Sequence, residues 1–334
     1  MRKKGLFALA KACADTEDAG KSFDLKKAGL DYEIDGTYTP TDSLNLFDET
    51  QKVTDIISKI RRIDTPSAKY NLNNIVNAGV IVGRTGAVAA KTALLAGTDI
   101  SGLIKSNIGN QGALKELYHL FNLTPSDLTN WARIGAGKFQ SGTTSQIAND
   151  WAEKLEKLLF TGDGGVNEPS SLVVRCLANL ASTEAEEDSG KKVRNVDIND
   201  TDAPTIASKI ELVYQKAPER NWPNSVIFIN SREYQKYVNE VIASSGATGL
   251  LAIMADPMRF KKYKDATLVP TPNLPANNLI MTRYKDICWC IATAGLSNTT
   301  EIQNIPRAII YSLFSEWDFD FTTYDRVVYG YDQT

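Results

Sequence analysis

The chain has 334 residues, 43% hydrophobic and 23% charged, enough for one large or two modest globular domains burying about three quarters of the unfolded surface. Its 37 basic and 40 acidic side chains leave a net charge of −3, which excludes an overall basic field for nucleic acid. Four cysteines (Cys13, Cys176, Cys288, Cys290) without regular spacing exclude a disulfide framework, and no run approaches the roughly 18 apolar residues of a membrane span.

Residues 1–30 hold seven basic side chains (Arg2, Lys3, Lys4, Lys11, Lys21, Lys26, Lys27) against four acidic ones, a mildly basic arm rich in Ala, Gly and Lys. Such an arm is either a solvated tail or a surface for a polyanion or a neighbouring subunit. Met1–Ala14 imitates a signal peptide, but the apolar run Gly5–Ala10 is short and Lys11 interrupts it, so cleavage is not expected and a soluble, cytosolic product is. Leu46, Val53, Ile56, Ile57 and Ile60 then fall at near-helical spacing, with Asp42 or Ser43 as candidate caps and Pro66 as the stop. From Asn71 to Gly112 Asn, Gly and small residues recur with no sustained period, so a long glycine-punctuated hairpin or excursion is expected there. Its Gly83-Arg-Thr-Gly86 lacks the Gly-Lys-Ser/Thr that a phosphate loop requires.

Thr124–Trp131 reads as a capped helix start, and a longer helix is predicted from Thr144 to Phe160, about 25 Å at about 1.5 Å per residue. Ile147, Trp151, Leu155, Leu158 and Leu159 form its apolar stripe, Glu153 and Lys157 an outer pair, and Ser141–Ser145 its cap. The following Phe160-Thr-Gly-Asp-Gly-Gly165 has glycines after a helix, whereas a phosphate loop has them before one. It therefore predicts a helix stop, with Gly162 in the left-handed closing position and Lys154 and Lys157 in the last turns. Residues 183–203, carrying Glu184, Glu186, Glu187, Asp188, Asp197, Asp200 and Asp202, read as an exposed acidic loop or, alternatively, a metal site.

A compact α/β unit follows. Pro204 opens a helix bearing Ile206, Ile210, Val213 and Tyr214; Val226–Ile229 is a buried strand. Asn230 and Glu233 form a capping-box-like start to a helix with Tyr234, Tyr237, Val238 and Val241, which a connection containing Gly246 and Gly249 should close. Strands are predicted at Thr267–Val269, Asn278–Met281 and Ile287–Ile291, the last with Cys288 and Cys290 as buried thiols on one face. Ile309, Tyr311, Leu313, Trp317, Phe319 and Phe321 alternate with Glu316, Asp318 and Asp320, predicting a long strand with one buried and one exposed face.

Catalytic chemistry is sparse. His119, in the aromatic-rich Leu117–Phe121, is the single histidine, so a nucleophile has no other imidazole base, and zinc lacks soft ligands. No H-E-x-x-H, G-x-S-x-G or G-x-G-x-x-G is present. No catalytic, cofactor-binding or metal residue is nominated, and no cofactor.

The order of these elements resembles the major capsid proteins of tailed bacteriophages, the Hong Kong 97-type fold. Phe47–Ile63 with the excursion looks like that family's arm and E-loop, and Leu128–Arg133 through Phe160-Thr-Gly-Asp-Gly164 is similar to its spine helix and glycine turn. Asn221–Tyr234 resembles the strand and helix of its axial domain, and Thr267–Pro272 with the strands at 278–292 the close of that domain. The wording around Trp131 is nearest the P2-type temperate-phage subgroup. The resemblance implies an α+β chain divided into an N-terminal arm (1–45), an arm-to-E-loop helix (46–63), an E-loop (64–123), a peripheral domain with spine helix (124–200), an axial domain (201–299) and a returning peripheral strand (300–334). It implies a non-enzymatic shell protein of pentamers and hexamers around double-stranded DNA, located in the virion and made in the bacterial cytoplasm. Its partners would be copies of itself, a portal, a separate scaffolding protein or none, decoration proteins or none, and non-specific DNA contacts, with no membrane; the family's Lys–Asn crosslink has no assignable position here. An encapsulin shell shares the fold, and a nucleotide- or metal-dependent α/β enzyme using residues 183–203 is the alternative from another class.

Overall fold

A computed structural model describes residues 36–37, 48–65, 69–72, 74–77, 104–107, 111–123, 136–165, 168–182, 192–199, 201, 203–255, 260–292, 297–303 and 308–333. In chain order β1 (Gly36–Thr37) precedes a helical turn at 48–53, a 3-10 turn at Ile57–Lys59 and β2 (Arg61–Thr65). Two nested antiparallel ladders follow: β3 (Lys69–Asn71) pairs with β6 (Gln111–Ala113), and β4 (Asn74–Asn77) with β5 (Ile104–Asn107). β7 is Lys115–Leu123, α1 is Ala136–Thr161, α2 is Leu172–Ala181 and β8 is Arg194–Asp197. The remaining elements are α3 (Ile206–Lys216), β9 (Val226–Asn230), α4 (Ser231–Ala255), β10 (Lys262–Tyr263), β11 (Ala266–Thr271), β12 (Asn278–Thr282), β13 (Ile287–Ala292), β14 (Ser297–Gln303), β15 (Ala308–Phe321) and β16 (Val328–Tyr331).

The first sheet is a ribbon built on β15, whose 14 residues span about 48 Å at about 3.4 Å each. Leu313 pairs with both Asn298 and His119, and Trp317 with both Ile291 and Lys115. So β13 and β14 follow one another along one side of β15, and β7 runs along the other. β2 and β1 pair with the outer edges of β13 and β14. The second sheet has the order β10-β11-β9-β12-β16-β8, with β11 parallel to β9 and β16 parallel to β8.

The core follows from strand parity. Along β9, Val226 and Phe228 face α1 and the first sheet, whereas Ile227 and Ile229 face α3 and α4. Trp151, Leu155, Leu158 and Leu159 are buried as the apolar stripe predicts. Trp151 meets Trp317 edge-on at 4.9 Å, Trp317 meets Trp289 at 5.9 Å, and Phe160 meets Phe228 at 5.2 Å. Such contacts add roughly 0.5–1.5 kcal/mol each beyond area burial and tie α1 to both sheets. On the opposite face Ile206, Ile210, Val213 and Tyr214 of α3 are buried against the second sheet.

Several elements differ from their sequence expectation. The expected helix at 46–63 stops early because Arg61–Thr65 pairs as β2 with Cys288–Ala292. α1 begins at Ala136, so Ser141–Ser145 lie within it rather than capping it; Thr124–Trp131 lies outside the described residues. Part of the expected excursion, Lys115–Leu123, is a nine-residue strand in the ribbon. α2, not read from the sequence, starts at Ser171, whose hydroxyl accepts from the backbone N of Val174. Part of the expected acidic loop is β8, and α3 is capped by Thr205 with Ser208 rather than opened by Pro204. α4 runs through Gly246 and Gly249 instead of ending before them.

Candidate functional site

Among the described residues, those singled out for chemistry do not converge. Gly83–Gly86, Cys13 and residues 184, 186–188, 200 and 202 of the acidic run lie outside the described residues. His119 sits within β7, opposite Leu313. Cys288 and Cys290 are buried beside Leu72, Leu114 and Ala292, and burial pushes the Cys288 thiol up to about 12 and Cys290 upward as well. These are packed, protonated thiols rather than ligands or nucleophiles. Asp197 is committed locally, accepting from the Asn199 backbone N at 3.1 Å and its side-chain Nδ2 at 2.9 Å. Among the described residues no group of three or more His, Cys, Asp or Glu side chains is placed to hold a metal ion, and no helix is long and apolar enough to cross a membrane.

A polar groove of about 430 Å³ at the start of α3, lined by Lys209, Glu233, Lys236 and Glu240 among others, also offers structural rather than catalytic carboxylates. Glu240 accepts from the backbone N of Ile206 at 3.0 Å and Ala207 at 3.1 Å, neutralising the helix N-terminus, and Glu233 accepts from Asn277 N at 2.8 Å.

The polar groups instead brace extended elements. Asp318 and Asp320, expected on an exposed face, are each only 1% exposed. β7 ends its pairing with β15 at Trp317, and beyond that point Arg175 of α2 covers the open edge. Its Nε donates to the Phe319 carbonyl at 3.0 Å, its guanidinium hydrogen-bonds the Asp318 carboxylate, and Asp320 lies 4.0 Å away. Asp318 also accepts from Ser170 N and Phe319 N, both at 2.9 Å, and Asp320 from Phe321 N at 2.7 Å and the Tyr324 hydroxyl at 2.9 Å. One cation thus satisfies two carboxylates whose sequence pattern resembled a solvated face.

The turn between α1 and α2 is equally specific. Gly162 N donates to Leu158 O at 3.0 Å, and Gly162 O accepts from Ser171 N at 3.0 Å. The left-handed residue is Gly164, with φ 72°, and not Gly162 as expected. Gly162 is required for closeness: a Cβ there would lie 2.2 Å from the Pro169 carbonyl oxygen.

A third brace joins α3 to the β10–β11 turn. Lys264 Nζ donates to both Glu211 oxygens at 2.7 Å and lies 5.0 Å from the Tyr214 ring centroid; Tyr263 also donates to Glu211. The Lys264 and Tyr263 hydrogen bonds hold the Glu211 carboxyl at about 2. A carboxyl depressed in the folded state stabilises above its unfolded value of about 4.3 and loses that contribution as pH falls towards 2. Glu211→Gln should therefore lower the urea midpoint at pH 6, and its difference from the wild type should close between pH 5 and pH 2. A gap that is constant with pH would rule out this brace.

The described chain therefore presents a braced ribbon, a helix of 26 residues about 39 Å long and a pair of two-stranded ladders, with no assembled catalytic centre among the described residues. No protein-family model and no curated protein matches the sequence. Solved structures match along nearly its whole length. A chain of the satellite phage P4 procapsid with its size determination (Sid) protein is 13% identical, with TM-score 0.56, over 86% of this chain and 98% of that one. A capsid chain of the native GTA particle is 12% identical, with TM-score 0.53, over 90% and 92%. The fold is that of a Hong Kong 97-type capsid protein. An encapsulin, the holo-SrpI complex of Synechococcus elongatus, shares it at 11% identity and TM-score 0.51, over 92% of this chain and 94% of that one. At these identities the capsid-type fold is what is shared, and these neighbours are shell proteins rather than enzymes.

Proposed function

We propose that this chain is the major capsid protein of a tailed phage or prophage-derived particle, self-assembling as pentamers and hexamers into an icosahedral shell around double-stranded DNA. The observation that carries this is the capsid-type fold retained over 86% of the chain and 98% of the P4 procapsid chain. In this reading β3–β6 form the base of the E-loop, α1 is the spine helix, the ribbon is the peripheral sheet, and the second sheet with α3 and α4 is the axial domain. The nested ladders support it: β3 with β6 and β4 with β5 form two-stranded pairings that belong to neither six-stranded sheet, as expected of an arm lying over a neighbour. The shell would be made in the bacterial cytoplasm, join a portal, use a scaffolding protein supplied separately or none, and touch DNA through sequence-independent contacts. The wording around Trp131 adds the P2-type subgroup to the proposal.

Electron microscopy of the purified protein across salt concentrations tests the reading, with capsomers or closed shells expected. A monomer that persists at high concentration under every condition would sink it. The encapsulin match supports a second reading, a nanocompartment shell. Nucleic acid recovered from nuclease-treated particles favours the phage, and a co-purifying protein cargo without DNA favours the compartment.

A further inference from the structure

We propose that the β3–β6 ladder is a strap seated on the ribbon of its own subunit by Leu72 and Leu114, and that Cys288 and Cys290 beneath it are cryptic thiols, reached by an electrophile only when the strap lifts. This goes beyond the shell reading and does not depend on it. The parity of β13 provides the seat. Ile287, Trp289 and Ile291 belong to the core that α1 shares with both sheets, while Cys288, Cys290 and Ala292 point to the other side of the ribbon. Both sides are buried along the whole strand. On the side away from α1 the parallel register sets Ile63 of β2 beside Cys290, and Leu72 and Leu114 complete the cluster.

Leu72 and Leu114 directly follow β3 and β6. In the ladder Tyr70 stands opposite Gly112, so Leu72 and Leu114, each two residues further on, share one face about 14 Å apart at about 3.4 Å per residue. Cys288 to Ala292 spans the same length along β13. The two leucines are 5% and 8% exposed, whereas Lys69 and Ala113, which pair on the ladder's other face, are exposed. Small side chains at Cys288, Cys290 and Ala292 leave the depth that the leucines fill. Among the described residues the seat has five buried members and the α1 core twenty-four, so lifting the ladder uncovers far less apolar surface than unfolding does. Seated, the thiols are inert, because burial pushes Cys288 up to about 12 and Cys290 upward as well. Lifted, an ionised sulfur can add to the double bond of a maleimide, the adjacent carbon taking a proton from water.

N-ethylmaleimide labelling of the full chain at pH 8, resolved by peptide mass spectrometry, tests the proposal. Cys176, fully buried in the α1 core, is the internal gauge of global unfolding. In the wild type Cys288 and Cys290 should react roughly tenfold or more faster than Cys176. Leu72→Ala with Leu114→Ala should raise their rate roughly tenfold further and leave Cys176 unchanged. Ala113→Ser, on the ladder's exposed face, should change neither rate. Where the double variant speeds Cys176 as well, Leu72→Val and Leu114→Val carry the test singly, each raising the rate at Cys288 and Cys290 about threefold with Cys176 constant. One common rate for all three buried thiols in the wild type and the variants overturns the proposal. So does a rate at Cys288 and Cys290 that the leucine variants leave unchanged.

Discussion

Arg175→Ala should destabilise the free subunit by about 3 kcal/mol, seen as a fall in the urea midpoint without a change in slope. The cost comes from what remains behind. Asp318 and Asp320 are 1% exposed and keep their backbone donors, but both lose the cation that offsets their desolvation. The lower end of the range for breaking a buried pair applies, because the Arg175 side chain is itself 20% exposed. Arg175→Lys should recover less than half of the loss: an ammonium has no Nε to donate to the Phe319 carbonyl while also reaching the carboxylates. The decisive variant is Arg175→Met combined with Asp318→Asn and Asp320→Asn. It removes cation and anions together, retains acceptors for Ser170 N and Phe321 N, and should return most of the stability. If the triple variant is no more stable than Arg175→Ala, buried charge is not what Arg175 answers.

This network also marks where the sequence stopped being legible. The pattern of β15 gave its length and apolar parity, since Trp317, Phe319 and Phe321 are all buried. The opposite parity could not be read, because what covers Asp318 is an arginine 143 residues away in α2. Stripes and runs sufficient in themselves were legible: Ile206, Ile210 and Val213 on α3, the fully buried Val226–Ile229, and the apolar run of β13. Elements defined by partners were not. β7 and β8 become strands by pairing with β15 and β16, and β2 replaces a helix because β13 offers a parallel edge. α4 continues through Gly246 and Gly249 although each glycine costs about 1 kcal/mol against alanine in a helix. For function, the capsid-type fold rested on the order of elements rather than on any one residue.

Gly162 combines the two kinds of information, and its replacement should be the most damaging single methyl group added to the α1–α2 turn. Direction alone showed that Phe160–Gly165 closes a helix; which glycine is indispensable depends on Pro169, seven residues on. A Cβ at Gly162 would meet the Pro169 carbonyl oxygen at 2.2 Å and the Leu158 carbonyl oxygen at 2.9 Å, both backbone atoms that cannot rotate away. At Gly164 the obstacle is a φ of 72° with the Ser170 hydroxyl 2.9 Å from the added atom, and at Gly165 only the side chain of Asp163 is close. Gly162→Ala should therefore cost about 3 kcal/mol, Gly164→Ala about 1–2 kcal/mol, and Gly165→Ala less than about 0.5 kcal/mol. The effect at Gly162 should also travel. Its carbonyl accepts from Ser171 N, Ser171 caps α2, and α2 carries Arg175 to the buried aspartates. Displacing the turn thus loosens the edge of β15, so Gly162→Ala and Arg175→Ala should be less than additive in a double-mutant cycle, by at least about 0.5 kcal/mol. The bulkier Gly162→Val should yield no particles. Normal particles from Gly162→Val, or full additivity with Arg175→Ala, would mean that the turn and the ribbon edge are independent.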